Sequence, residues 1–298
     1  MDVVWTLAGL ALIVLTLRDL FATLFHPLGR GYVGHLVVGG VSRLGHRLAG
    51  RVRAAPVLIG PVGFISVVAT WAALLTVGWA LIFFPHLPEG FLFGPGLDPD
   101  EHGDFVDALY VSLVNLTSLG YGDISPEGPL LRILGPAETL FGLGLLTASI
   151  TWLISIYGVL SRRDAFAHEV HLSMVAEEHL GEKVADADPE LLERLLASFT
   201  VQLVATRRDL IHFPITHEFR SEDTERALSG LLPFLRRLVG EATEEGRPRA
   251  LKVRAQMLGM AIDDFAETLR TRLRMPGETT EETLEHYDAH HRRSAAGP

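Results

Sequence analysis

The 298-residue sequence predicts an all-α membrane protein with a separate helical portion toward its C-terminal end. Two observations carry this. The chain is 48% hydrophobic and 21% charged with mean hydropathy +0.27, and the apolar excess is concentrated in three long stretches. Beyond residue 161, leucines and phenylalanines recur every three or four positions, and no run of alternating strands interrupts them. Disulfide frameworks, thiolate zinc sites and cysteine nucleophiles are excluded, because the chain has no cysteine. A net charge of −10 argues against nucleic acid as a partner, since phosphate binding needs clustered Lys and Arg. No nucleophile–base pair or phosphate loop stands out, so no enzymatic activity and no cofactor are expected.

The first apolar stretch runs from Val3 to about Phe25 and carries no charge before Arg18 and Asp19. At 1.5 Å per residue it makes roughly 35 Å of helix, enough for a hydrocarbon core of about 30 Å. A cleaved signal peptide is the competing reading. It lacks a charged n-region, and Arg18-Asp19 stands where a small-residue cleavage site belongs. The second span lies within Ala54 to Pro88, centred on Val62 to Phe84, and the third is Thr139 to Ser161. Gly135-Pro136-Ala137-Glu138 leads into the third, which reads Glu138 as an acid at a helix start. Segments 1–25, 26–56, 57–160, 161–276 and 277–298 follow as an N-terminal span, a basic interfacial segment, a central membrane domain, a cytoplasmic helical domain and a disordered tail.

Charge between the spans orients them. Residues 26–56 hold five arginines (Arg30, Arg43, Arg47, Arg51, Arg53) and no acid, and Arg162-Arg163 follow the third span. From His86 to Asp107 there are six acids and no Lys or Arg. By the positive-inside rule the basic ends are cytoplasmic, and the N-terminus starts outside. Between the first two spans, Val33, Val37, Val41, Leu44, Leu48 and Val52 recur at helical spacing, which suits a basic amphipathic helix on the inner lipid surface or a soluble connecting helix. No span carries arginines at every third position, so voltage sensing is not expected.

Between the second and third spans, Asp104-Phe105-Val106-Asp107 reads as a helix cap leading into residues 108–117, a run too short to cross a bilayer. Thr117-Ser118-Leu119-Gly120-Tyr121-Gly122-Asp123 follows at once. Irregular backbone at membrane depth exists only where protein buries it or water lines it.

These residues, with the short helix before them and the third span after, resemble the potassium-channel pore family, whose filter reads T-x-G-Y-G and is usually followed by Asp. The resemblance covers roughly Val57 to Val159 and implies a pore-loop channel fold assembled as a homotetramer in the cell membrane. It implies that carbonyls of Ser118, Leu119, Gly120, Tyr121 and Gly122 coordinate permeant K+. Thr117 and Asp123 would then support the filter. Tyr121 would turn its ring away from the axis, and Asp123 would hydrogen-bond behind the filter, with Tyr110 and Asn115 as candidate partners. Gly142, or its neighbour Gly144, stands where the family's inner helix often hinges. Both filter glycines have a physical reason, since carbonyls point to one axis from successive residues only if some adopt positive φ. Two positions depart from the pattern: Ser118 stands for the usual Thr and loses the β-methyl that stiffens its rotamer, and Leu119 stands for Val or Ile. A weakly selective cation channel is the alternative they motivate. A membrane-anchored helical sensor is another. The second matching string, Gly29 to Gly34, has no helix before it and reads as a loop.

The C-terminal portion carries three stripes: Leu192, Leu195, Leu196, Phe199, Leu203 and Leu210; then Leu228, Leu231, Leu232, Leu235 and Leu238; then Leu258, Ile262, Phe265, Leu269 and Leu273. Each suits one helix of a small bundle. Neither a Gly-rich dinucleotide loop nor a β-roll is visible, which leaves the gating ligand or partner unidentified. His168, His171 and His179 stand near Glu169, Glu177 and Glu178, as surface helix residues or as a pH- or metal-sensing cluster.

Overall fold

A computed structural model describes residues 2–24, 31–48, 55–219 and 227–292. The chain is helical nearly throughout and divides into two compact units: Met1–Gly39 with Gly63–Ile154, and Gly40–Val62 with Ser155–Pro298. Helices α1 (Asp2–Leu24), α3 (Ala55–Phe83) and α5 (Leu131–Leu180) are long and apolar enough to cross a membrane, and α2 (Tyr32–Leu48) lies between the first two. The expected boundaries at residues 56/57 and 160/161 fall inside α3 and α5, which continue unbroken through them.

In the first unit, α1 packs on α3 through glycines. A Cβ on Gly9 would come within 2.4 Å of the Gly78 carbonyl oxygen, and one on Gly78 within 2.7 Å of Ile13. Backbone contact of this kind replaces the hydrophobic driving force that lipid does not supply between membrane helices. Asp19, buried in α1, accepts from the Trp71 indole of α3 at 2.9 Å and from the Val33 backbone N–H at 2.9 Å. Two donors on one carboxyl oxygen pair offset the cost of holding it away from water, and they tie α1 to α2 and α3 together. The outward residues of α1, such as Val3, Leu7 and Val14, stay exposed as a lipid-facing side requires.

Helices α3 and α5 run antiparallel, with Trp71 against Trp152 at 6.1 Å and Trp79 against Phe141 at 5.8 Å between ring centroids. Between them lie β1 (Phe91–Phe93), the short helix α4 (Phe105–Leu116) and β2 (Ile124–Pro126); β1 and β2 pair antiparallel, Phe91 opposite Pro126.

The second unit is a helical bundle of α6 (Pro189–His212), α7 (Leu228–Ala242), α8 (Arg249–Leu273) and α9 (Thr280–Arg292), with the last turns of α5. Asp188 caps α6, accepting from the Glu190 and Leu191 N–H groups, and Pro189 takes the first helical position, where no N–H is missed. The three predicted stripes meet: Leu196, Phe199, Leu203, Leu232, Leu258 and Phe265 share one core with Phe166 of α5. Each fully buried Leu or Phe contributes about 1.5–3 kcal/mol.

Four expectations are corrected. Residues 280–292 are not a disordered tail but helix α9, whose Leu284 and Tyr287 are buried in the same core, a face too short for periodicity to reveal amid so many charges. The Gly29–Gly34 string is helical from Tyr32 rather than a loop; Gly29 and Arg30 lie outside the described residues, as do Arg51, Val52 and Arg53. The third apolar helix starts at Leu131, not Thr139, so Pro136 stands within it. Glu138 is therefore no helix-start residue: it lies two turns in and is fully buried.

Candidate functional site

The site is built on α4. Asp104 caps it, accepting from Val106 N at 2.7 Å and Asp107 N at 3.0 Å, while the Asp107 carboxylate accepts from Asp104 N at 3.3 Å. This reciprocal box satisfies the orphan donors of the first turn, and the backbone bond from Asp107 pulls the Asp104 carboxyl below its ordinary range. One face of α4 (Ala108, Val111, Ser112, Val114, Leu116) is buried. That face has the three-and-four spacing that periodicity predicts.

Past Thr117 the backbone changes hand at every second residue. Ser118 has φ 59°, Gly120 57° and Gly122 75°, while Leu119 and Tyr121 between them keep negative φ. Positive φ at alternate residues gives the segment a backbone that is neither helix nor strand. The start of this segment is pinned to the end of α4: Ser118 N donates to Asn115 O at 3.0 Å and Leu119 N to Val114 O at 2.9 Å. Its far end is pinned at Asp123. Tyr110 Oη donates to Asp123 Oδ2 at 2.5 Å, and Gly94 N donates to Asp123 O at 2.6 Å. Tyr110 is thus the partner of Asp123, and Asn115 is not.

Sequence reasoning foresaw positive φ at the two glycines but not at Ser118. A residue with a Cβ pays about 1–2 kcal/mol in the left-handed region, and no sequence signal marks it. The residues from Thr117 to Gly122 are exposed in the single chain, Tyr121 by 67%.

Helix α5 closes on the start of this segment. A Cβ on Gly142 would lie 1.9 Å from the Leu116 carbonyl oxygen, so only glycine permits this approach, whereas Gly144 faces open space. Thr139 Oγ1 donates to Asn115 O at 2.9 Å. On the other side of α5, Leu140, Leu143, Leu146, Ile150 and Ile154 form an exposed apolar stripe. Of the cluster from His168 to His179, His179 is bonded to the Val175 carbonyl, Glu169 accepts from Ser198 and Gln202, and Glu177 pairs with Arg237. No group of His, Asp and Glu among the described residues is placed to hold a metal ion.

A membrane unit of this architecture, a short helix and a left-handed-alternating segment set between two spanning helices, is an ion-channel pore module. In agreement, residues 69–158 match the family model described as an ion channel. The chain is 24% identical over 92% of its length to an uncharacterized membrane protein, YdjJ, of Bacillus subtilis (strain 168), spanning 80% of that protein. It is 26% identical over 39% of its length to a protein of Rhodopseudomonas palustris named as a candidate potassium channel, matching 27% of that longer chain. No solved structure matches. The likeness to the two-helix potassium-channel pore module covers residues 69–158, and the chain is a membrane protein carrying an ion-channel domain.

Proposed function

We propose that the protein is a potassium-selective channel, a homotetramer that conducts K+ passively through a ring of carbonyls from Ser118, Leu119, Gly120, Tyr121 and Gly122. The observation that carries this is the alternation of φ at Ser118, Gly120 and Gly122 within the Thr117–Asp123 string, anchored at both ends. One such strand cannot enclose an ion. Several around an axis replace its hydration shell with carbonyl oxygens at little reorganisation cost, and fourfold closure suits a closed ring of like chains. The exposed stripe of α5 and the exposed Val106 and Leu113 of α4 are apolar surface of the kind that neighbouring copies would cover.

In this reading the C-terminal end of α4 aims its negative dipole end at the ion path, favouring a cation by about 0.3–1 kcal/mol per helix. The N-terminus is outside and the helical unit cytoplasmic, with the six acids of the His86–Asp107 segment at the outer mouth, where they raise local cation concentration or keep the loop solvated. Gly142 serves close packing against Leu116 rather than bending, which leaves Gly144 as the residue free to hinge.

The test is cation flux into liposomes holding the purified chain, with its mass in detergent. Potassium uptake well above sodium uptake and a fourfold mass are expected. Comparable uptake of the two ions would favour the weakly selective reading that Ser118 motivates, no uptake of either the sensor reading, and a monomeric mass would sink the assembly.

A further inference from the structure

Glu138 is 0% exposed within the helix contacts of the pore unit, as is Ser112 of α4 facing it. Glu138 Oε1 lies 2.5 Å from Ser112 Oγ, and Ser112 Oγ lies 2.9 Å from the carbonyl oxygen of Thr76 on α3. Hydrogen counting over these three oxygens is decisive. The serine hydroxyl has one hydrogen and the carbonyl has none, so two hydrogen bonds need a second hydrogen, and the carboxyl is the only group that can bring it. With an ionised carboxylate, one of the two close approaches would be oxygen against oxygen with nothing between. The other carboxyl oxygen, Oε2, is buried on the side of the Asn115 amide, whose Nδ2 is likewise buried without a partner of ordinary hydrogen-bond geometry. Ser112 and Asn115 are the polar side chains that face it, and no charged one does so among the described residues.

The same turn of α5 reaches the filter segment. Thr139 donates to the Asn115 carbonyl, which also accepts from Ser118 N, the first residue of left-handed backbone. Gly142, one turn on, presses against the Leu116 carbonyl.

We infer that Glu138 is kept as the neutral carboxylic acid and acts as a positioning residue, donating to Ser112 and so locking the end of the pore helix, and the filter strand hung from it, between α3 and α5. Its effect on conduction rests on the pore reading; its protonation does not.

Two measurements on the full chain in lipid separate these. In the infrared spectrum at neutral pH, the stretch of a protonated carboxyl is expected in the native chain and missing in Glu138→Gln; identical spectra would overturn the neutral acid whether or not the protein conducts. In liposomes, Glu138→Gln, which still donates to Ser112, should keep the native ratio of potassium to sodium flux. Glu138→Leu, which cannot donate, should lower it by roughly tenfold, the order of one buried hydrogen bond lost. A native ratio in Glu138→Leu, or equal loss in both variants, would overturn the positioning role. If the leucine variant fails to assemble, loss of the native ratio in Glu138→Gln, which keeps the donor, would by itself overturn the positioning role.

Discussion

In the helical unit, Phe166, Phe199, Leu232 and Phe265 are each at most 1% exposed, whereas in the pore unit Val106, Leu140 and Ile154 are 67–70% exposed although they are no less apolar. The helical unit finishes its core within one chain. The pore unit leaves a stripe of α5, part of α4 and the whole Thr117–Gly122 segment open, and keeps short polar contacts (Tyr110 to Asp123, Ser112 to Glu138) beneath its surface. A fold that buries everything is specified by its own contacts. One that leaves a coherent apolar surface bare depends on surroundings outside its own contacts, which under the channel proposal are neighbouring copies and lipid. Mutations in the two units should therefore fail in different ways, one through stability and the other through transport.

The largest separation is expected at Gly122. Nothing lies within 4 Å of the place where its Cβ would stand, but its φ of 75° is one that side chains rarely adopt. Gly122→Ala therefore meets no clash within the chain and acts through backbone conformation alone, about 1–2 kcal/mol. Potassium flux should be lost while membrane insertion and the thermal unfolding of the helical unit stay native. Unaltered flux would contradict the assignment of Gly122 to the ion path.

The converse variant is Phe199→Ala, which opens a cavity in the core shared by α5, α6 and α8. It should destabilise the helical unit by about 3–5 kcal/mol, read as a lower thermal midpoint by circular dichroism. The potassium-to-sodium ratio of the surviving channels should not move. A changed ratio would show that the two units are not separable in this way.

What was legible beforehand follows the same division. The stripes of α6, α7 and α8 could be read because a self-contained core writes its period into the sequence, and the Asp104–Asp107 box and the Thr117–Asp123 string could be read because both are local. Features that depend on distant partners could not. Asp19 looks like a charge near a membrane boundary until Trp71 and Val33 are found on it. Glu138 follows a proline and so resembles a helix start, and only the fold brings Ser112 to it. Ser118 carries its left-handed backbone where the chain folds back on the end of α4, its N–H bonded to Asn115 and that of Leu119 to Val114, and α9 hides two buried residues among acids and histidines.

The smallest effect sharpens the contrast from the helical side. Arg237 forms two hydrogen bonds with Glu177, at 2.8 and 2.7 Å, and this holds the Glu177 carboxyl below its ordinary value of 4.5. A depressed carboxyl favours the folded state only while it is ionised. Its contribution is complete above about pH 4.5 and disappears as pH falls through the lowered value. Because the Arg237 side chain is 45% exposed, solvent screens the pair and the contribution is about 0.5–1 kcal/mol. Glu177→Gln should lower the thermal midpoint of the helical unit slightly at neutral pH, and the two curves should converge under acid. A gap that stays constant with pH would show that the pair matters through packing of the arginine stem, not through charge.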